Sequence, residues 1–180
     1  MTVIVPCDYN QTKAATIALG KHEGPAYLRF GRPSWPIFTA PDRPFTIGKA
    51  DKLIDGTHVS IFATGHMVWQ AIEAEALLSS KGISAEVINI HTIKPLDVEA
   101  ILTSVNKTGC VVTCEEHQMN GGLGDSVAQV VGRFAPKPIE MVAVNDSFGE
   151  SGTPTQLLKK YGLSPENIVA AVEKVIARKK

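Results

Sequence analysis

The 180-residue sequence predicts an α/β fold: a three-layer, mostly parallel, doubly wound sheet with helices on both faces. Three observations carry that expectation. Short apolar runs alternate with stretches of helical period between residues 59 and 144, the pattern of repeated βα units. The apolar runs show little polar alternation, as strands covered on both faces require. Parallel strands joined by right-handed crossovers then wind into a doubly wound sheet.

The elements follow in order. An apolar run at residues 3–5 opens the chain, and Asp8 and Gln11 have capping-box spacing before a helix that Gly20 can stop. Residues 26–30 read as a second strand. This β-α-β unit, residues 1–30, has too little sheet to stand alone. Between Gly31 and Lys52 lie Pro33, Pro36, Pro41 and Pro44, four of the eleven prolines, so residues 31–52 read as a linker. The regular alternation then fills residues 53–180.

Residues 59–64 form a strand, and Gly65 leads into a helix from about His66 to Ser80 with Val68, Ile72 and Ala76 as its buried stripe. Lys81 and Gly82 close it. After a strand at 85–90, Asp97 caps a helix that buries Val98, Ile101, Leu102 and Val105. A third strand covers 110–114. Past Gly121 and Gly122, the inner face of a helix is marked by Leu123, Val127, Val130, Val131 and Phe134, and residues 139–144 are the fourth strand. Thr153-Pro154-Thr155-Gln156 is a capping box with proline at the first helical position. Ser164-Pro165 starts the last helix, which keeps its period through Ile168, Val169, Val172, Val175 and Ile176. Lys174, Arg178, Lys179 and Lys180 give it the basic end that a helix C-terminus favours.

Composition removes several classes of function. Apolar residues make up 44%, charged residues 20% and aromatic residues 6%, which is ordinary for a globular domain. Eighteen basic residues balance eighteen acidic ones, so charge gives no reason to expect nucleic acid or a membrane as partner. No apolar run reaches the roughly 18 residues of a spanning helix. The first ten residues lack the basic and long apolar stretches of a signal peptide. Cys7, Cys110 and Cys114 leave an odd thiol, and the last two share a strand face without being able to bridge along it. Small core residues in a reducing compartment, hence a cytoplasmic protein, are expected.

Ligands of such sheets gather at the carboxyl ends of strands. The densest polar group there comprises Glu115, Glu116, His117, Gly121, Gly122 and Gly124. It suits either a proton-transfer pair or anion nest at a helix start, or a loop shaped for an interface. Its glycines do not spell a dinucleotide fingerprint. Nor does the sequence hold a P-loop or His/Cys spacing for a metal. His66 begins a helix, where a solvent-exposed imidazole is the commoner reading than a base. His22, His58 and His91 show no partner. In Tyr27-Leu28-Arg29-Phe30-Gly31-Arg32-Pro33, Arg32 stands at a strand exit with its direction fixed by proline, which suits bidentate binding of phosphate. Arg29, inside the strand, suits a structural ion pair.

Five segments in order resemble the C-terminal part of transketolase: PCDYNQTKAA, GPAYLRFGRP, INIHTIKPLD, CEEHQMNGGLGDSVA and SGTPTQLLKKYGL. Deoxyxylulose-phosphate synthase and the β subunits of 2-oxo-acid dehydrogenase E1 share the KPLD and EE…GG features. The EEH triplet and the SGTP tail favour transketolase over both.

The resemblance implies a transferase that moves a two-carbon ketol unit between sugar phosphates of the pentose phosphate pathway, using thiamine diphosphate and a divalent metal such as Mg²⁺. Residues 1–30 would be the end of a pyrimidine-binding domain and residues 53–180 the C-terminal domain. Arg32 matches the family's arginine for substrate phosphate. The stretch from Glu115 to Gly124 corresponds to an interface or regulatory loop of a homodimer. The family's activating glutamate, its metal and diphosphate motif and its substrate-binding histidines have no counterparts here. The resemblance therefore implies no catalytic, cofactor-binding or metal-binding residue in this chain, which is expected to be inactive alone and to need the missing domains or an N-terminal subunit. A non-enzymatic interaction module is the alternative outside enzymology.

Overall fold

The strands of the central sheet are runs that only a buried position would satisfy. Every residue of Val59–Ala63 and of Ala85–Asn89 is buried, as are the first five of Val111–Gln118. The computed structural model describes residues 1–179. Its elements are β1 (Thr2–Ile4), α1 (Tyr9–Leu19), β2 (Ala26–Leu28), β3 (Asp51–Ile54), β4 (Val59–Ala63), α2 (Met67–Ser80) and β5 (Ala85–Asn89). There follow β6 (Thr92–Lys94), α3 (Val98–Thr108), β7 (Val111–Gln118), α4 (Leu123–Phe134), β8 (Ile139–Val144), α5 (Pro154–Lys160) and α6 (Pro165–Ala177). No described helix is long and apolar enough to cross a membrane. Lys180, counted in the basic end of the last helix, lies outside the described residues.

The main sheet has the order β3-β5-β4-β7-β8 and is parallel except at β3, which runs antiparallel on β5. One face carries α2 and α6 over a core that includes Ile61, Met67, Leu78, Val112 and Ile168. The other carries α3 and α4 over Phe62, Ile88, Ile101, Val111 and Val127. This is the expected α/β architecture with both faces covered. A second, three-stranded sheet has the order β2-β1-β6; β1 is parallel to β2 and antiparallel to β6.

Several element details depart from the expectation. The inner face of α2 is Met67, Val68, Ala71, Ala74 and Leu78, whereas Ala76 is exposed and Ile72 half-buried. The 3.6-residue period drifts around a helix, so a strict i+4 series slides off the buried face within three turns. Val98 and Phe134 sit at helix ends and are exposed, Phe134 beneath the Arg133 guanidinium. The short, charged strands β3 and β6 carry no alternation to announce them. β3 begins at Asp51, inside the proline-rich passage. The helix start at Asp8 is as expected, with its carboxylate accepting from the Gln11 amide.

The layer between the main sheet and α3 holds a polar chain. The Ser60 hydroxyl bonds those of Ser104 and Thr108, and Ser104 continues to Glu86, which is buried and also bonded by Lys107. All members of this chain find partners, as a buried polar group requires.

His91, unassigned from the sequence, is buried against the Phe45 ring with centroids 4.2 Å apart. Burial lowers its pKa from the ordinary value to about 4. As pH falls through the ordinary imidazole range the unfolded chain takes up a proton and the folded chain does not. Stability present at neutral pH is therefore lost between about pH 6.5 and pH 4, by up to about 3 kcal/mol, and levels off below that. Urea unfolding at pH 7 and pH 4.5 checks this: His91→Phe should lose distinctly less than the parent, and equal losses would refute it.

Candidate functional site

The carboxyl ends of β1 and β2, the start of α1, the proline-rich passage after β2 and the first residue before α2 enclose a cleft of about 480 Å³. Its lining includes Cys7, Tyr9, Phe30, Arg32, Trp35 and His66. Two features of the sequence bring these together. The Pro6-Cys7-Asp8 turn ends β1 beside the linker, and Gly65, at φ +56°, turns the chain out of β4 toward α2.

Asp8 organises one wall. It is buried, and its Oδ1 accepts the Gln11 amide at 2.9 Å and the Thr39 hydroxyl at 2.8 Å. Its Oδ2 accepts the backbone amides of Phe38 at 3.0 Å and Thr39 at 2.7 Å. One carboxylate thus caps α1 and ties down the proline-rich passage at Phe38 and Thr39. Gln11 reaches back to the Cys7 amide rather than to Asp8 itself, so the capping box is displaced by one residue.

Arg32 sits exposed at the rim, among the residues lining the cleft. Just before it, Gly31 lies so close to His66 that a Cβ there would stand 1.9 Å from the imidazole Cε1. Just beyond it, the Trp35 indole stacks on the same imidazole, with centroids 4.6 Å apart and planes 16° from parallel. His66 is accordingly enclosed, not the solvent-exposed helix start that was expected. Its Nδ1 lies 3.4 Å from Glu116 Oε2, and this contact with His66 holds the Glu116 carboxyl below the ordinary range. Arg29 donates to the Glu116 carbonyl at 2.9 Å, so its guanidinium serves a backbone oxygen beside a carboxylate.

The acidic cluster separates into different environments. Glu115, Glu116 and His117 belong to β7, which leaves register with β8 between Cys114 and Gln118, so they are strand residues at an irregularity and not part of a turn. Glu115 is buried and accepts the Leu123 and Gly124 amides, each at 2.8 Å, satisfying the first turn of α4. Burial raises its pKa while those two amides work against the rise. Gly122 is the room that carboxylate occupies: a Cβ there would stand 2.0 Å from Oε2. Gly124 lies against Met141 and Thr113, and the Gly121 amide bonds Asp125. His117 is exposed and turned to the Gln118 carbonyl.

The described residues contain no cluster of three His, Cys, Asp or Glu side chains able to hold a metal. Asp8 is the one carboxylate lining the cleft, and four donors already occupy its oxygens. This donor set does not fit a diphosphate cofactor with its divalent cation.

The family model for the transketolase C-terminal domain matches residues 48–168. The chain belongs to the transketolase family. It is 45% identical over 180 residues to the 6-deoxy-6-sulfo-D-fructose transketolase subunit SqwH of Clostridium sp. (strain MSTE9), covering 99% of this chain and 56% of that protein. A putative transketolase C-terminal section of Methanocaldococcus jannaschii is 39% identical, covering 96% and 54%. Among solved structures, a split gene transketolase in an inactive β4 tetramer superposes with a TM-score of 0.97 at 44% identity, covering 100% of this chain and 59% of that one. The chain spans about half the length of these transketolase relatives. Deoxyxylulose-phosphate synthases also match, for example at 34% identity over 29% of the protein from Pelotomaculum thermopropionicum.

The sequence pointed to Arg32 and to the Glu115–Gly124 stretch. It did not point to Trp35, to the clamp that Asp8 places on residues 38 and 39, or to His66 as their meeting point. The one available signal was Gly31: a glycine just before Arg32 marks a place where something approaches the backbone closely.

Proposed function

We propose that this chain is the C-terminal part of a thiamine-diphosphate-dependent transketolase, moving a two-carbon ketol unit between sugars that carry an anionic terminus. Residues 1–30 complete a pyrimidine-binding domain, residues 31–52 link it, and residues 53–180 form the C-terminal domain. The observation that supports this best is the cleft itself, which joins Arg32 to aromatic walls at the carboxyl ends of strands, where ligands of α/β sheets gather. Arg32 holds the terminal phosphate or sulfonate of the sugar, a guanidinium being suited to two parallel hydrogen bonds with such a group. Thiamine diphosphate and Mg²⁺ are held by the remaining domains or by an N-terminal subunit.

The exposed apolar residues Tyr9, Ile17, Tyr27, Phe30 and Ile37 support that partnership. They lie on and around α1 and the unpaired edge of β2, where a sheet would continue. Homodimer formation, with Glu115 to Gly124 near the interface, is part of the same proposal, and the three buried free thiols fit a cytoplasmic setting.

The test compares the chain alone with the chain combined with its thiamine-diphosphate-binding partner. Ketol transfer is expected only in the second case, and turnover by the chain alone would contradict the proposal. Arg32→Ala should raise KM for an anionic sugar by about 30-fold with little change in kcat, as loss of uniform binding predicts. Product from pyruvate in place of a ketose would redirect the reading toward the deoxyxylulose-phosphate synthase relatives.

A further inference from the structure

We propose that His66 is the positioning residue for Arg32, its imidazole being the seat on which residues 31–35 are wound. This rests on the reading that Arg32 takes the substrate's anionic group. Hydrogen bonds do not fix that passage. Among the described residues, none from 30 to 37 makes a hydrogen bond to the rest of the protein. The flanking anchors are the Arg29 amide on the Ile4 carbonyl and the Phe38 and Thr39 amides on Asp8. An untethered loop of that length would spread its arginine over many positions.

The ring of His66 supplies the missing constraint on both sides of Arg32. Gly31 rests against its Cε1 edge, at a distance only a residue without Cβ allows, and Trp35 stacks on its plane. The indole Nε1 is buried without a hydrogen-bond partner, so Trp35 is held by the stack and not by its polar handle. Tryptophan usually finds such a partner when buried, which makes the stack the deciding contact. Pro33 further narrows the path between the two contacts.

His66 is in turn held from below. It precedes α2 in helical conformation and its Nδ1 faces Glu116, whose carbonyl is gripped by Arg29. The ring is thus tied to β7 through Glu116 and to the end of β2 through Arg29, both anchored on paired strands. Arg32 inherits its placement from that framework through one aromatic ring. Pre-positioning of this kind raises affinity by removing the ordering cost from the binding step.

The experiment follows the backbone amide resonances of Gly31, Arg32, Ser34 and Trp35 in the full chain during titration with inorganic phosphate, in a Trp69→Phe background that leaves Trp35 as the single indole. The parent should respond saturably and Arg32→Ala should not. His66→Ala should weaken phosphate by about five-fold or more and shift Trp35 emission to longer wavelength, and His66→Phe, which keeps a flat ring, should restore affinity to within about two-fold. If the parent does not respond, or Arg32→Ala binds as well, the assignment of Arg32 fails. If Arg32→Ala loses binding while His66→Ala keeps the parent's affinity, the positioning role fails. Gly31→Ala gives the same decision should His66→Ala not fold: its new Cβ must displace the ring, and unchanged affinity in that variant overturns the proposal.

Discussion

Asp8→Ala is expected to lower the stability of the chain by about 3 kcal/mol and to loosen the cleft at the same time. Four donors lose their acceptor in this variant: the Gln11, Phe38 and Thr39 amides and the Thr39 hydroxyl. The Gln11 amide belongs to the first turn of α1, where substituting a good cap alone costs about 1 kcal/mol. The other three lie in or beside the linker, and the burial of Thr39 leaves little water to replace the carboxylate. Asp8→Asn separates the effects, because an amide can accept for the cap yet presents a donor to the linker amides. It should fall between the parent and alanine. Chemical denaturation of the three chains measures this, and an alanine variant within about 0.5 kcal/mol of the parent would show that the clamp is not a stabilising element.

The second large effect belongs to Gly122. Its φ of −96° is open to any residue, so the backbone does not demand glycine there. The demand comes from the Glu115 carboxylate. Gly122→Ala must push that group away from the Leu123 and Gly124 amides, which leaves a buried charge without partners and a helix start without a cap. About 3 kcal/mol is expected, on the scale of breaking a buried charged hydrogen-bond pair. The mechanism has a signature in a double-mutant cycle. Glu115→Ala should cost a similar amount, and adding Gly122→Ala to it should then cost under about 1 kcal/mol, since the space is already vacant. Additive costs would mean that the two residues act separately.

These two residues show how unevenly the molecule could be read from its sequence. The alternation of buried strands and helices was legible because each βα unit must bury both faces, and that demand writes itself into residues such as Val59 to Ala63. Asp8 was legible as a cap because capping is a local event across three residues. Its second role spans about thirty residues, and no local pattern records which amide will return to a carboxylate. The same holds for His66, whose neighbours Gly31, Trp35 and Glu116 come from three separate parts of the chain. Glu115 looked like a candidate for chemistry because a carboxylate at a strand end before glycines resembles one. Its position under the start of α4 makes it a cap, and only the depth of its burial distinguishes the two. Strand β6 went unseen because three residues ending in lysine before a proline carry no periodicity.

The pairing of β1 with β6 sets a timetable for synthesis. Val3 stands opposite Lys94, about ninety residues later in the chain. At roughly 5–20 residues per second, a ribosome takes on the order of 5–20 seconds to deliver the second partner after the first. Over that interval β1 and β2 lack their third strand, and two strands by themselves are marginal in water. Most of the cleft wall, residues 6–37, is made well before the strand that pins it to the body, residues 92–94. The cleft is assembled late, onto a body whose central strands β4 and β5 have already emerged.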